Sequence, residues 1–227
     1  MFKKRKIELL VDSWETMPLG IFQEINKIGA NENIDEDTKA LMAVALLSNK
    51  TLDDIEKLSL SEATKLVAQT SFLYTPIPKI KTRKNLNLNG KKYRIMGKKE
   101  EMTAAQFINF QAIYKDINNM LPEFMSIFII PEGYNYGDDY DMDEVIDDIR
   151  NHLSVVEALS LADFFIAVYR RLWNRTLLFL EAKMKVLSIM GKKETKKVAK
   201  ETEALIKQLR QHLNSIIGYR SLRQYHN

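Results

Sequence analysis

Few side chains in this sequence have the types and spacing that enzyme active sites need. There is no Cys among the 227 residues, which excludes disulfides, thiolate nucleophiles and metal sites held by Cys. The histidines His152, His212 and His226 lie far apart, and none belongs to the i, i+4 pair of a helical zinc site. Neither a glycine-rich phosphate loop nor a Gly-x-Ser-x-Gly nucleophile turn is present. The sequence therefore predicts a protein that is not an enzyme and that holds no cofactor.

The carboxylates Asp139, Asp141 and Asp143 alternate as the first ligands of a calcium-binding loop do. The sixth position of such a loop needs Gly for a sharp turn, and here it is Glu144. The twelfth position needs a bidentate Glu, and here it is Arg150. The pattern instead favours the first turn of a helix, where the helix dipole stabilises carboxylates. We therefore expect no metal site here.

Residues 79–99 form a basic block that contains nine Lys and Arg and no acid. Such a block is typical of a surface that meets nucleic acid or an acidic partner, although it can also be a solvated face. The candidate residues for an interface or a DNA channel are Lys91, Lys92, Arg94, Lys98 and Lys99, with Lys79, Lys81, Arg83 and Lys84 on their flank. Contacts of this kind with DNA would be to phosphate and independent of base sequence.

Residues 131–150 form an acidic block that contains eight acids and one base. Two blocks of opposite sign suit contacts between subunits, because complementary charges guide docking. The candidate acidic interface residues are Asp138, Asp139, Asp141, Asp143 and Glu144. A solvated face is again the alternative.

The spacing of apolar residues predicts a mainly α fold, a helical bundle with one small β-hairpin. Helices are predicted to begin near Met17, Thr38, Thr51, Ser61, Thr103, Asp141, Ser154 and Glu194. The hairpin is predicted at 86–95, because Asn89 and Gly90 suit the two positive φ angles of a type I′ turn. Residues 7–11 could form a further short strand. The apolar run at 121–130 is another buried segment.

The chain is predicted to divide into three parts. An N-terminal helical half spans 1–78, a second half with the hairpin spans 79–190, and a charged C-terminal helix and tail span 191–227. Prolines precede the first boundary and Gly191 marks the second. The C-terminal helix has a narrow apolar stripe, so it either packs back on the long helix before it or pairs with another subunit.

The two halves also echo each other in sequence. Residues 17–22 match 102–107 at an offset of 85, and residues 58–63 match 153–158 at an offset of 95. The echo suggests two duplicated helical halves, with chance similarity between amphipathic helices as the alternative.

Several short segments together resemble small virion-assembly proteins of tailed bacteriophages, of the crAss-like type, that serve as neck or tail components or as tail-assembly chaperones. The segments that carry the resemblance are Trp14–Phe22, Leu41–Leu47, Leu52–Leu60, Asn89–Arg94, Met102–Phe110 and Phe128–Gly133. It extends over residues 7–185 and leaves out the basic C-terminal helix. The matching segments contain no catalytic fingerprint, so no functional residue is carried over.

The resemblance implies a structural protein of the portal, neck and tail region, made in the host cytoplasm and built into the virion. Its partners would be copies of itself in a ring, other portal, neck or tail proteins, and DNA contacted without sequence preference. No membrane association is expected, because no apolar run approaches the length of a membrane span. Two alternatives stay open: a tail-assembly chaperone that is absent from the finished virion, and a DNA-binding regulatory protein.

Overall fold

The computed structural model describes residues 7–96, 102–113, 116–117, 119–190, 200–207 and 210. The predicted fold class is confirmed: the chain is mainly α with a small antiparallel sheet. The helices are α1 (Leu19–Gly29), α2 (Glu36–Ser48), α3 (Leu52–Glu56), α4 (Leu60–Gln69), α5 (Ala104–Ile113), α6 (Leu121–Ser126), α7 (Met142–His152) and α8 (Val155–Met190). A 3₁₀ turn, Thr70–Tyr74, follows α4, and residues 200–207 are helical.

Short polar side chains set where the early helices begin. The Asp35 carboxylate accepts a hydrogen bond from the Thr38 backbone N–H and caps α2. Thr51 and Ser59 open α3 and α4, each within a reciprocal capping box. These caps satisfy backbone donors that have no partner inside the helix, so each start is determined by a few adjacent residues.

The predicted hairpin is confirmed, and it belongs to a larger sheet than the sequence indicated. Strands β1 (Asn85–Leu88) and β2 (Lys91–Ile95) flank Asn89 and Gly90, whose φ angles are 51° and 75°. A third strand, β3 (Ile129–Pro131), pairs antiparallel with β2, so the order is β1-β2-β3. The sequence indicated this segment only as apolar, because the partner strand lies more than thirty residues away.

The short strand predicted at residues 7–11 is wrong. The segment pairs with no strand of the described chain, and the backbone N–H groups of Leu10 and Val11 both donate to the Leu47 carbonyl at the end of α2, at 2.8 and 3.1 Å. The last carbonyls of a helix have no partner within it, and this segment satisfies one of them instead of joining the sheet.

Two compact units make up the chain, and they divide within α8, between Leu161 and Ala162. The predicted boundary at residue 78 falls inside the first unit. An isolated antiparallel bridge, Pro18 with Ser154, joins the segments before α1 and α8 in that unit. In the second unit, the Arg210 guanidinium donates to the Glu181 carboxylate at 2.8 Å, so the described part of the C-terminal helix lies back along α8.

The suggested duplication of two helical halves stays a prediction. Helices α1 and α5 begin at residues that are 85 apart, and α4 and α8 begin at residues that are 95 apart. Ser59 and Ser154 precede α4 and α8, and the hydroxyl of each accepts from the backbone N–H three residues later. The strand β3 and the length of α8 belong to the second half alone among the described elements.

Gly20 in α1 leaves space for another element of the first unit. A Cβ at this position would lie 2.8 Å from Arg150 Cγ and 3.1 Å from the Arg150 carbonyl oxygen. Arg150 cannot move away freely, because its guanidinium pairs with Glu123 at 3.2 Å and Asp147 at 2.7 Å. The close approach of α1 and α7 therefore needs Gly at this position.

We expect Gly20→Ala to lower the free energy of unfolding by about 1–2 kcal/mol, because overpacking outweighs the gain in helix propensity. Gly29→Ala, in the same helix, is the matched control, since a Cβ added at Gly29 would meet nothing within 4 Å. That change should be neutral or stabilising by up to about 1 kcal/mol. Urea unfolding followed by circular dichroism measures both, and equal effects would contradict the contact with Arg150.

Candidate functional site

The hairpin packs against α7 around one buried carboxylate, Asp148, which is 4% exposed. It accepts hydrogen bonds from the Tyr93 hydroxyl at 2.5 Å, the Asn89 side-chain amide at 3.1 Å and the Lys91 ammonium at 3.2 Å. The three donors come from the turn and from β2. Asp148 therefore fastens the hairpin to α7.

Hydrogen bonds from its three donors keep the Asp148 carboxylate ionised. Burial disfavours the ionised form of Asp148, but the bonds from Tyr93, Asn89 and Lys91 outweigh it and hold the pKa of Asp148 below its ordinary value. Burial, with the Asp148 carboxylate beside it, raises the pKa of the Tyr93 hydroxyl, which stays a neutral donor. Asp148 is thus an anion and an acceptor for all three partners at neutral pH.

The predicted basic and acidic surfaces meet each other in this cluster. Lys91 Nζ lies 2.6 Å from Glu144 Oε1 and 3.2 Å from Asp148 Oδ2. The hydrogen bond to Glu144, with further help from Asp148, raises the pKa of Lys91. Lys91 and Glu144 are therefore partners within one chain, and their charges are largely compensated there.

The other basic candidates differ in their exposure and in whether their charged groups have partners within the chain. Lys92 is 75% exposed at its side chain and lies 4.0 Å from Glu132 Oε2. Arg94 donates to the Tyr134 carbonyl and to Asn135 Oδ1, both at 3.1 Å, and so supports the loop after β3. Lys98 and Lys99 lie outside the described residues. Charge reversal at Lys91 or Arg94 would therefore break internal bonds as well as change the surface.

The acidic candidates divide in the same way. The carboxylate of Asp141 caps α7 by accepting from the backbone N–H groups of Asp143 and Glu144, at 3.0 and 3.2 Å, which confirms the predicted acidic helix start. Asp138 accepts from the Asn135 N–H at 2.6 Å. Asp139 and Asp143 are exposed. The exposed carboxylates form a negative face along the loop and the first turn of α7.

A cleft of about 360 Å³ lies beside the Asp148 cluster, between β2, the loop after β3 and α7, and we call it the acidic cleft. Its lining residues are Lys91, Lys92, Tyr93, Pro131, Glu132, Tyr134, Tyr140, Asp141, Glu144 and Val145. Tyr134 and Tyr140 meet edge to face in its wall, with ring centroids 5.7 Å apart. The Tyr140 hydroxyl is buried and has no hydrogen-bond partner among the described residues. Burial raises the pKa of Tyr140 to about 12, so the hydroxyl is neutral at physiological pH.

The flank of the basic block remains a free cationic surface. Residues 79–84, which we call the basic segment, lie between Pro78 and β1 outside any helix or strand. Its Lys and Arg side chains are all exposed: Lys79, Lys81, Arg83 and Lys84. The nearest described carboxylate is that of Glu157, 3.7 Å from the Arg83 guanidinium. The exposed positive charge thus lies mainly before the hairpin, and Lys92 is a further exposed cation on β2.

Sequence reasoning missed Tyr93 and the two cleft tyrosines as site residues, and it placed Asp148 only within the acidic block. Two local spacings could have indicated Asp148 and Tyr93 as site residues. Lys91 and Tyr93 are two apart in a strand and therefore share one face, and Glu144 and Asp148 are four apart on one helix face. No local spacing indicates Tyr134 and Tyr140, because a loop without regular structure brings them together.

The described residues contain no group of three or more His, Asp and Glu side chains that could hold a metal ion. His152 is exposed at the end of α7, whereas His212 and His226 lie outside the described ranges. Within those ranges, no helix is long and apolar enough to cross a lipid bilayer. No protein family, curated protein or solved structure matches the chain.

Proposed function

We propose that the chain is a non-enzymatic structural protein of a tailed-bacteriophage virion, a ring or adaptor subunit of the portal, neck and tail region that joins head to tail. The phage setting rests on the resemblance of the segments between residues 7 and 185. The Asp148 cluster holds the hairpin on α7 and so serves the fold, which is compatible with a structural role.

One observation carries the proposal of an oligomer. Leu178 and Phe179 are adjacent on α8, and they are 65% and 67% exposed. A single exposed apolar residue is ordinary, but two large ones side by side form a patch that contact with another chain would remove from water. Ala182, one helical turn further along α8, is also exposed and extends the same face. We assign this patch to a contact between subunits.

We expect the double variant Leu178→Asp, Phe179→Asp to reduce the molar mass of the purified protein to that of a monomer. Two charges in an apolar contact lose their hydration without gaining a partner, which opposes association. Light scattering after size-exclusion chromatography measures the mass, and circular dichroism checks that helix content is kept. Ser61→Asp with Gln69→Asp is the control, because it adds two charges at exposed positions of α4, away from the patch. Unchanged mass in the double variant would contradict the assignment.

The place of the protein in the virion is tested by quantitative mass spectrometry of purified particles of the phage that encodes it. A ring subunit should be present at a small whole-number ratio to the portal protein. A tail-assembly chaperone would be made during infection and be missing from finished particles. A DNA-binding regulator would also be missing from particles, and it would bind one duplex sequence in preference to others.

A further inference from the structure

The acidic cleft carries a net negative charge although two lysines line it. Lys91 already has two carboxylate partners, Glu144 and Asp148. Among the described carboxylates, Lys92 has Glu132 near it, at 4.0 Å. The Asp141 carboxylate adds a further charge, so three carboxylates line the cleft against two ammonium groups, and the buried Asp148 carboxylate also contacts Lys91. The cleft therefore attracts cations and repels phosphate.

The walls of the cleft also suit a cationic side chain. Tyr134 is 43% exposed, so part of its ring is free to contact a Lys or Arg. The volume of about 360 Å³ lies at the small end of ligand pockets, which fits inserted side chains better than a large ligand.

The chain carries a matching cationic group in its basic segment. The backbone of this segment is held in place, because the Ile80 N–H donates to Ser160 Oγ at 3.3 Å and the Lys84 carbonyl accepts from the Ile95 N–H at 2.9 Å. Its side chains, in contrast, extend into solvent, and that of Arg83 is 73% exposed. A fixed backbone with free cationic side chains loses little backbone entropy when it binds.

The two surfaces lie at opposite ends of the hairpin in the first compact unit. The basic segment joins the open end, where Lys84 pairs with Ile95, and the cleft lies toward the turn, beside Lys91 and Lys92. Four residues of strand, about 13 Å, separate Ile95 from Lys91. Because of this separation, the basic segment does not fill the cleft of its own chain. Each surface is therefore available to a different copy.

We infer that the acidic cleft of one copy binds the basic segment of the next copy, through Lys and Arg side chains that enter between Tyr134 and the rim carboxylates. The contact joins two different surfaces, so it is heterologous and repeats from copy to copy, which closes a ring when the rotation permits. This inference rests on the proposed oligomer and names one of its interfaces. It is separate from the apolar patch on α8.

Charge reversal in matched pairs tests this contact. The first variant, Lys81→Glu with Lys84→Glu, makes the basic segment acidic and leaves the cleft intact. The second, Glu132→Lys with Asp139→Lys, reverses one residue that lines the cleft and one exposed residue next to Tyr140 in the loop, and it leaves the basic segment intact. Each variant alone then presents like charges at the contact. We expect the dissociation constant of its oligomer to rise roughly tenfold or more.

An equal mixture of the two variants should restore association, because each acidic surface again meets a basic one when the variants alternate. A ring with an even number of copies then regains the wild-type mass. Lys57→Glu with Lys65→Glu is the control for the first variant, since it lowers the net charge equally at exposed lysines elsewhere. Analytical ultracentrifugation at low and high salt measures the wild type, the two variants, their mixture and the control. The wild-type association should weaken at high salt, because salt screens exposed charges.

The inference is overturned if the wild type associates and either reversed variant keeps its mass, and the proposed ring then remains with other contacts. It is equally overturned if the mixture associates no more tightly than either variant does alone. If Lys81→Glu with Lys84→Glu abolishes binding to labelled duplex DNA and leaves the mass of the oligomer unchanged, the basic segment binds DNA phosphates and not the acidic cleft. Absence from purified virions, in contrast, would contradict the proposed function whatever the charge variants show.

Discussion

Replacing Asp148 by Asn should lower the free energy of unfolding by about 3 kcal/mol. The carboxylate is buried and accepts from Tyr93, Asn89 and Lys91, and the amide keeps only one acceptor oxygen. The N–H groups of the new amide face the donors of Tyr93, Asn89 and Lys91, so at least one of these donors loses its acceptor. A lost hydrogen bond to a charged group costs about 1.5–3 kcal/mol. Removing one member of a buried ion pair costs about 3–5 kcal/mol, which sets the upper limit. Urea unfolding at pH 7 measures the change.

Asp147→Asn is the matched control on the same helix. Asp147 pairs with Arg150 at the surface, and its side chain is 62% exposed. Exposed pairs of this spacing contribute about 0.3–0.5 kcal/mol, so the control should change stability much less than Asp148→Asn does. Similar losses in both variants would show that Asp148 has no special role in holding the hairpin.

The effect of Asp148→Asn should depend on pH in a defined direction. The pKa of Asp148 is lower in the folded chain than in the unfolded chain, where the pKa of an Asp is about 3.9. A depressed folded pKa means that the contribution to stability is complete above the unfolded pKa and is lost as the pH falls through the folded pKa. The difference between wild type and Asp148→Asn should therefore be constant from pH 7 to about pH 5 and shrink toward pH 3. A difference that stays constant at pH 3 would contradict the ionised state of Asp148.

Replacing Trp14 by Ala should lower the free energy of unfolding by about 3–5 kcal/mol, the range for removing a buried aromatic side chain. Trp14 is 4% exposed and packs edge to face on Phe22 and Phe72, with ring centroids 6.1 and 5.5 Å away. Its indole N–H donates to the Thr75 carbonyl and hydroxyl oxygens, each at 3.1 Å. The side chain thus joins the segment before α1 to the 3₁₀ turn after α4.

Trp14→Phe separates the two contributions, because it keeps an aromatic ring and removes the N–H donor. We expect it to lose about 1–2 kcal/mol, mainly from the hydrogen bonds to Thr75. Tyr74→Ala is the control: Tyr74 is an aromatic residue of the same turn, but it is 83% exposed and should change stability by less than about 0.5 kcal/mol. Circular dichroism is the suitable probe, since Trp14→Ala also removes a fluorophore. A loss in Trp14→Ala no larger than in Tyr74→Ala would contradict the packing described here.

Local structure was largely predictable, and particular residues show why. Asn89 and Gly90 adopt the positive φ angles that the turn needs, and the hydroxyl of Ser154 caps α8 where the sequence placed the start of a long helix. The Asp141 carboxylate likewise opens α7. Each of these features depends on hydrogen bonds or backbone angles within about four residues, so the necessary groups are adjacent in the sequence.

The candidate site was predictable only in part, because its charges were identified and their partners were not. Lys91 and Glu144 were assigned to separate interfaces, yet they form an ion pair at 2.6 Å. From the sequence, Lys81 and Lys84 were given a secondary place at the flank of the hairpin, whereas the structure shows that both side chains are exposed. A block of like charges indicates a polar surface, but it does not show which side chains find a partner inside the same chain.

The sequence by itself determined most of the helices, the turn of the hairpin and the signs of the two charged blocks, because short-range chemistry suffices for these features. Helix α6 was indicated only as part of an apolar segment. Only the tertiary structure decided that Asp148 would be buried under Tyr93, 55 residues away in the chain, and that β3 would extend the sheet. It also decided that Tyr134 and Tyr140 would form the wall of a cleft. These contacts join residues that are brought together by packing of whole elements, and no local periodicity encodes which distant partner a side chain meets.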